Sequence, residues 1–217
     1  MIKTSFDFSK HLTSHNQIWR IVLGFLSVLL IYGTTILTFF YGLAYLGFNP
    51  GYVVQASSPE NLALLLISFF PIWVSLAIVN KVIHKRPLQA LYGPSHAINW
   101  RHFKMAAMLL VTIIAVGEVL SQIYFAATGT SSYSPNMIMR LGVWVLWLLP
   151  MSAVLFIQIG AEELFFRGYL LQTIMARGEN IFWAAIVPSA LFGLGHFDQG
   201  SYGINAYFYV LHTTVLG

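Results

Sequence analysis

Four stretches of this chain are long, apolar and almost free of charge: Ile18 to Leu46, Leu62 to Asn80, Met105 to Ala127, and Leu141 to Met175. A helix rises 1.5 Å per residue, so about 20 apolar residues cross the hydrocarbon core of a bilayer. Charge is scarce throughout, with 58% of the 217 residues hydrophobic and 8% charged, against roughly 25% charged in soluble domains. A fifth run covers Ile181 to His196, and a sixth is still in progress at Gly217. The expected fold is all-α: a polytopic transmembrane bundle of about six helices. Pro71 predicts a kink in the second run, and the fourth, with Pro150 inside it, is either long and kinked or protrudes from the bilayer.

The loops orient the bundle. The segment 81–104 carries Lys81, Lys85, Arg86, Arg101 and Lys104, whereas 47–61 has no Lys or Arg and 128–140 has Arg140 alone. By the positive-inside rule the N-terminus and the basic loop are cytoplasmic, in a multi-pass protein of the cell membrane. The same rule accounts for the net charge of +4 without nucleic acid as a partner. The first apolar run is too long for a signal-peptide core and has no small-residue cleavage site, so it is expected to remain as a helix. The chain has no cysteine, which removes disulfides, thiolate zinc clusters and thiol nucleophiles and leaves carboxylate, imidazole and hydroxyl for any chemistry. Two parts follow: residues 1–140 with three helices and the basic loop, and residues 141–217 with the groups that carry chemistry.

Those groups begin in "GAEELFFRGYLL" (160–171). Between Leu141 and Ala161 there is no charged residue, and after Arg167 the next is Arg177. Each charge at the centre of a membrane helix costs roughly 2.5 to 3.5 kcal/mol, so Glu162, Glu163 and Arg167 need compensation. Glu163 and Arg167 are four apart with the acid first, the favourable order for an ion pair on one helix face. Glu162 is turned about 100° away, toward the face of Phe165 and Phe166, and needs a partner from another helix. His196, in "ALFGLGHFDQG", is the best candidate. Phe192 lies one turn before it and can pack on its ring, and Gly193 and Gly195 remove bulk beside it so that another helix can come close. A carboxylate and an imidazole facing each other across a polar, desolvated cavity can bind and deprotonate a water.

"EELFFR" at 162–167 followed by "FGLGH" at 192–196 resembles the E-E-x-x-x-R and F-x-x-x-H motifs of the CAAX protease and bacteriocin-processing (CPBP or Abi) family of intramembrane proteases, and its bacterial branch in particular. The resemblance spans about residues 145–217. It implies an endopeptidase in which Glu162 activates water, His196 helps to hold that water or a metal, and Glu163 and Arg167 occupy the remaining motif positions. Implied substrates are peptides or membrane-associated proteins, such as prenylated CAAX proteins or bacteriocin-like peptides. Implied cofactors are none, or a divalent metal such as zinc with Glu162 and His196 among its ligands. The family's third motif, H-x-x-x-N or H-x-x-x-D, is not met here, since His212 is followed four residues on by Leu216. The expectation is a chain that stops before that motif.

Two other classes compete. A proton-coupled carrier would use Glu162 and Glu118, an acid inside the third run, although no inverted repeat is visible. A non-catalytic membrane partner, such as an immunity protein, would keep the fold without turnover. His11 and His15 have i, i+4 metal-binding spacing, but no further ligand is near them in sequence and a solvated segment is the simpler reading.

Overall fold

The computed structural model describes residues 17–93, 97–129, 141–177 and 180–216, and every regular element among them is helical. Helix α1 spans Ile18–Tyr45. Short α2, Pro50–Val54, begins where the Asn49 side chain accepts from the Gly51 amide, and α3, Pro59–Ile67, where Ser58 accepts from Asn61. These caps satisfy amides that a helix start leaves open. Helix α4 is Phe70–Val82, followed by a 3-10 turn at Leu88–Tyr92. Helix α5 runs from Trp100 to Thr128 and closes on Gly129 at φ +65°, a conformation glycine adopts without strain. Helix α6, Leu141–Glu163, passes directly into a π-helical segment, Leu164–Leu171, and then into α7, Gln172–Met175. Helices α8 (Ile181–Gly195), α9 (Gln199–Tyr202) and α10 (Ala206–Leu216) complete the described chain.

Four helical stretches are long and apolar enough to cross a membrane: Ile18–Tyr45, Pro59–Val82, Trp100–Thr128 and Val145–Met175, with Phe182–Gly195 as a shorter apolar helix. The chain is a multi-pass membrane protein. Two expectations about these spans need correction. The second is not one helix kinked at Pro71 but two, α3 and α4, and Pro71 sits in the first turn of α4. There a missing N–H breaks no helical bond, so the proline starts a helix instead of bending one. The fourth is not α-helical throughout, because its hydrogen-bond register changes right after the two glutamates.

Of the described residues, those up to 93 and from 149 onward form one compact unit, and those from 97 to 148 another. In the second, the described side chains of α5 are nearly all exposed, Met108, Leu109 and Val111 among them. In the first, the core joins Val28 of α1, Ile72, Leu76 and Val79 of α4, and Phe165 and Tyr169 of the π segment. Gly24 makes this junction: a methyl group there would collide with the Tyr169 hydroxyl and come within 2.8 Å of His84 Nε2.

The segment after α4, read from sequence as the start of a basic cytoplasmic loop, tucks inward. His84 is wholly buried and hydrogen-bonds the Tyr169 hydroxyl at 3.0 Å. Arg86 is 7% exposed, donating from Nε to Asn80 Oδ1 at 2.8 Å and from Nη2 to Thr173 Oγ1 at 3.0 Å. Burial pushes its guanidinium down to about 10, with the neighbouring Tyr169 phenol acting in the opposite sense, so the group stays charged at neutral pH. Gln172 Nε2 donates to the Leu91 carbonyl at 2.9 Å, which ties the 3-10 turn to the end of the π segment. Because buried polar groups are costly when a partner is removed, Tyr169→Phe is expected to lower stability by about 1–2 kcal/mol. Thermal melting in detergent measures this, and an unchanged midpoint would show that the His84–Tyr169 bond contributes nothing.

Candidate active site

Glu162 and Glu163 are the last residues of α6, and the π segment starts one residue later. Single-turn π bulges are rare and frequently mark functional sites; here the widened register runs for eight residues and turns five of them, Leu164, Phe165, Gly168, Tyr169 and Leu170, into the core. The α6 side of the junction is fixed by Trp73 of α4. Its indole N–H donates to the Ile157 carbonyl at 2.9 Å, and its ring fills the space that Gly160 leaves open. The glutamates therefore sit between a clamped α-helical turn and a buried π turn.

The two carboxylates have different surroundings. Glu163 pairs with Arg167 through Oε1 and Nη1, and both side chains are 47% exposed. Glu162 is half-buried, with the Gln158 side chain one turn earlier as its hydrogen-bond partner and His196 within electrostatic range. An exposed ion pair in water contributes roughly 0–1 kcal/mol, and one facing lipid more, since separated charges are expensive there. A double-mutant cycle on Glu163→Gln and Arg167→Gln, read by thermal melting in lipid nanodiscs, is expected to give a coupling of at least about 0.5 kcal/mol. Strict additivity would remove the pair from any structural role.

His196 caps the C-terminal end of α8. Its Nδ1 lies 2.8 Å from the Phe192 carbonyl, which can only accept, so Nδ1 carries the proton and Nε2 is the basic nitrogen of the neutral ring. The Phe192 ring packs on the imidazole with centroids 4.4 Å apart, and Phe166 meets Phe192 edge-on at 5.2 Å. Of the two glycines beside it, only Gly193 serves close helix approach: a methyl group there would collide with Thr214 Oγ1 of α10 and lie 2.7 Å from the Val210 carbonyl. Gly195 has no neighbour that a methyl would meet, and it lines a cavity instead.

That cavity, about 430 Å³, has both Glu162 and His196 in its lining. It is not the polar cavity expected. Val28 and Leu29 of α1, Phe69, Ile72 and three phenylalanines form most of its lining, and Tyr32 is the third polar side chain beside Glu162 and His196. The apolar lining follows from position, since α1 and α4 are membrane spans whose inward faces are as hydrophobic as their outward ones. Tyr32 and Gln158 are the residues that sequence reasoning missed. Tyr32 lies within electrostatic range of Glu162, yet it is 130 residues away in a run apolar on every face.

A catalytic zinc takes three protein ligands, of which Glu162 and His196 could supply two, and no group of three His, Cys, Asp or Glu is present among the described residues. The described residues do not make up a zinc site. His212 is exposed on α10 and is not among the cavity residues. His11 and His15 lie outside the described residues, as does the side chain of Glu118 in α5.

Comparison with known proteins bears on the same segment. The chain is 24% identical over 201 residues to the protein named Uncharacterized protein YyaK of Bacillus subtilis (strain 168), an alignment covering 88% of this chain and 64% of that protein. The chain thus spans somewhat under two thirds of the relative's length. No solved structure matches it. The family model described as type II CAAX prenyl endopeptidase Rce1-like matches residues 141–217, the stretch holding Glu162, Glu163, Arg167, Phe192 and His196. Residues 141–217 are thus similar to the Rce1-like family of proteases.

Proposed function

We propose that this protein is an intramembrane endopeptidase that hydrolyses a peptide bond inside the cavity, with Glu162 as general base. The observation that carries the reading is that a carboxylate and an imidazole from two helices of the Rce1-like segment line one apolar cavity. A water there would donate one hydrogen to Glu162 and the other to His196 Nε2. As Glu162 takes its proton, the water oxygen bonds to the scissile carbonyl carbon and negative charge moves to the carbonyl oxygen. Collapse expels the amine, which takes the proton from Glu162. The apolar wall excludes competing water and strengthens each of these contacts.

The oxyanion needs a donor, and the Tyr32 hydroxyl is the one that the described lining offers besides the two reacting groups. Losing one such donor typically costs 10²–10³ in kcat, so Tyr32→Phe is expected to reduce kcat about 100-fold with little change in KM. A pure KM effect would make Tyr32 a binding residue only. Substrates of the kind the family's name states, prenylated CAAX peptides, suit an apolar cavity beside two membrane spans, and the positive-inside reading puts its chemistry in a membrane whose basic, cytoplasmic face carries Lys81 and Lys85. The test is a proteolysis assay with the protein reconstituted in liposomes. A farnesylated CAAX peptide and its unprenylated counterpart are supplied, and products are identified by mass spectrometry. Absence of cleavage of either peptide, with the protein folded, would overturn the reading.

A further inference from the structure

A second cavity opens at the membrane-edge end of α4 and shares no lining residue with the one that holds Glu162. It measures about 540 Å³ and is lined by Ala77, Lys81, Lys85, Arg86, Pro87 and Leu88. Three of the six are cations and none is an anion. Lys81 and Lys85 are exposed, and the positive-inside tendency explains them at the end of a span. Arg86 is different, because orientation in the membrane does not call for a guanidinium that is 7% exposed. Its hydrogen-bond partners are the neutral Asn80 and Thr173, no carboxylate among the described residues pairs with it, and its buried Nη1 has no partner at all.

Backbone conformation adds a second observation. Lys85 adopts φ +55°, in the left-handed region that side-chain-bearing residues seldom enter. The turn that puts Lys85 beside Lys81 and Arg86 at this cavity is thus held at a cost. The cavity is also graded along α4: Ala77 lies one helical turn deeper in the span than Lys81, so the wall is apolar on the membrane side and basic at the edge. This is the polarity of a phospholipid, with its phosphate at the edge and its chains along the span.

We infer that this cavity binds the phosphate headgroup of an anionic phospholipid, with Lys81 and Lys85 contacting the phosphate, Arg86 supplying charge from beneath it, and the acyl chains lying along the Ala77 side of α4. A lipid whose headgroup carries a net negative charge gains from all three cations, whereas a zwitterionic headgroup brings its own cation to the same place.

Thermal melting of the purified protein in a neutral detergent tests this, with phosphatidylglycerol, phosphatidylcholine or inorganic phosphate added separately. Phosphatidylglycerol is expected to raise the midpoint by several degrees and phosphatidylcholine to leave it nearly unchanged, as specific binding to the native state requires. Lys81→Ala/Lys85→Ala, which leaves buried Arg86 and its bonds in place, should weaken the phosphatidylglycerol response at least about tenfold in concentration. Arg101→Ala/Lys104→Ala removes the same charge elsewhere and should leave the response intact. Equal loss in the two double variants would reduce the effect to bulk charge and overturn the site. Equal stabilisation by the two lipids would also overturn it, as would a full shift from inorganic phosphate alone, which would assign the cavity to a soluble anion.

Discussion

Glu162→Gln is expected to lower peptide hydrolysis by about three orders of magnitude or more while leaving the protein folded. General-base catalysis contributes roughly 10²–10⁴ in rate, and the amide removes it because a neutral carboxamide cannot take the water proton. The fold should tolerate the exchange because the side chain has nearly the same shape, is half-buried beside a cavity, and keeps Gln158 as a neighbour able to bond an amide. The loss should fall on kcat, since Glu162 is assigned to the reacting water and not to the substrate. Glu163→Gln is the informative comparison. It disturbs an exposed pair with Arg167, so its loss of activity should be smaller and should accompany a drop in melting temperature. If Glu163→Gln abolishes turnover in a fully stable protein while Glu162→Gln retains it, the two roles have been exchanged.

How far the sequence led differs from residue to residue. The spans were legible because the thickness of a bilayer sets a length that short apolar segments do not reach. Contacts within a single helix were also legible. Glu163 meets Arg167, and Phe192 packs on His196, because i and i+4 side chains are neighbours whatever the rest of the fold does. The change to π register after Glu163 was not. Its sign would be a shift in hydrophobic period, and a run apolar on every face has no period to shift. Tyr32 was invisible for a related reason, since nothing in α1 marks one inward face as a cavity wall. The burial of Arg86 was not legible because a basic residue between spans reads first as an orientation signal, and its partners are Asn80 and Thr173, the latter 87 residues away. Gly193 and Gly195 looked alike in sequence, and only the position of α10 separates them.

The second large effect is expected at Gly193. Helices α8 and α10 meet there without a side chain between them, and a Cβ would collide with the Thr214 hydroxyl and sit 2.7 Å from the Val210 carbonyl oxygen. The hydroxyl belongs to a side chain that can rotate away. The carbonyl belongs to the backbone of α10 and cannot move without the helix. Gly193→Val should therefore force the helices apart and cost about 3 kcal/mol or more, at the upper end of overpacking effects, whereas small residues are what let membrane helices approach this closely. Thr214→Ala in the same chain relieves one collision and leaves the other, so it should restore less than half of the lost stability. Activity should fall further than stability predicts, because His196 follows three residues later on the same helix and is held by the carbonyl of Phe192. Displacing α8 moves the imidazole relative to Glu162 on a helix that α10 does not touch through Gly193, and misplacement by about 1 Å can cost on the order of 100-fold in rate. Melting curves and turnover for Gly193→Ala, Gly193→Val and Gly193→Val/Thr214→Ala measure the two effects separately. A Gly193→Val protein that melts like the parent would mean that α8 and α10 do not approach closely at Gly193 in the membrane, and complete rescue by Thr214→Ala would place the whole obstruction in the hydroxyl and none in the backbone.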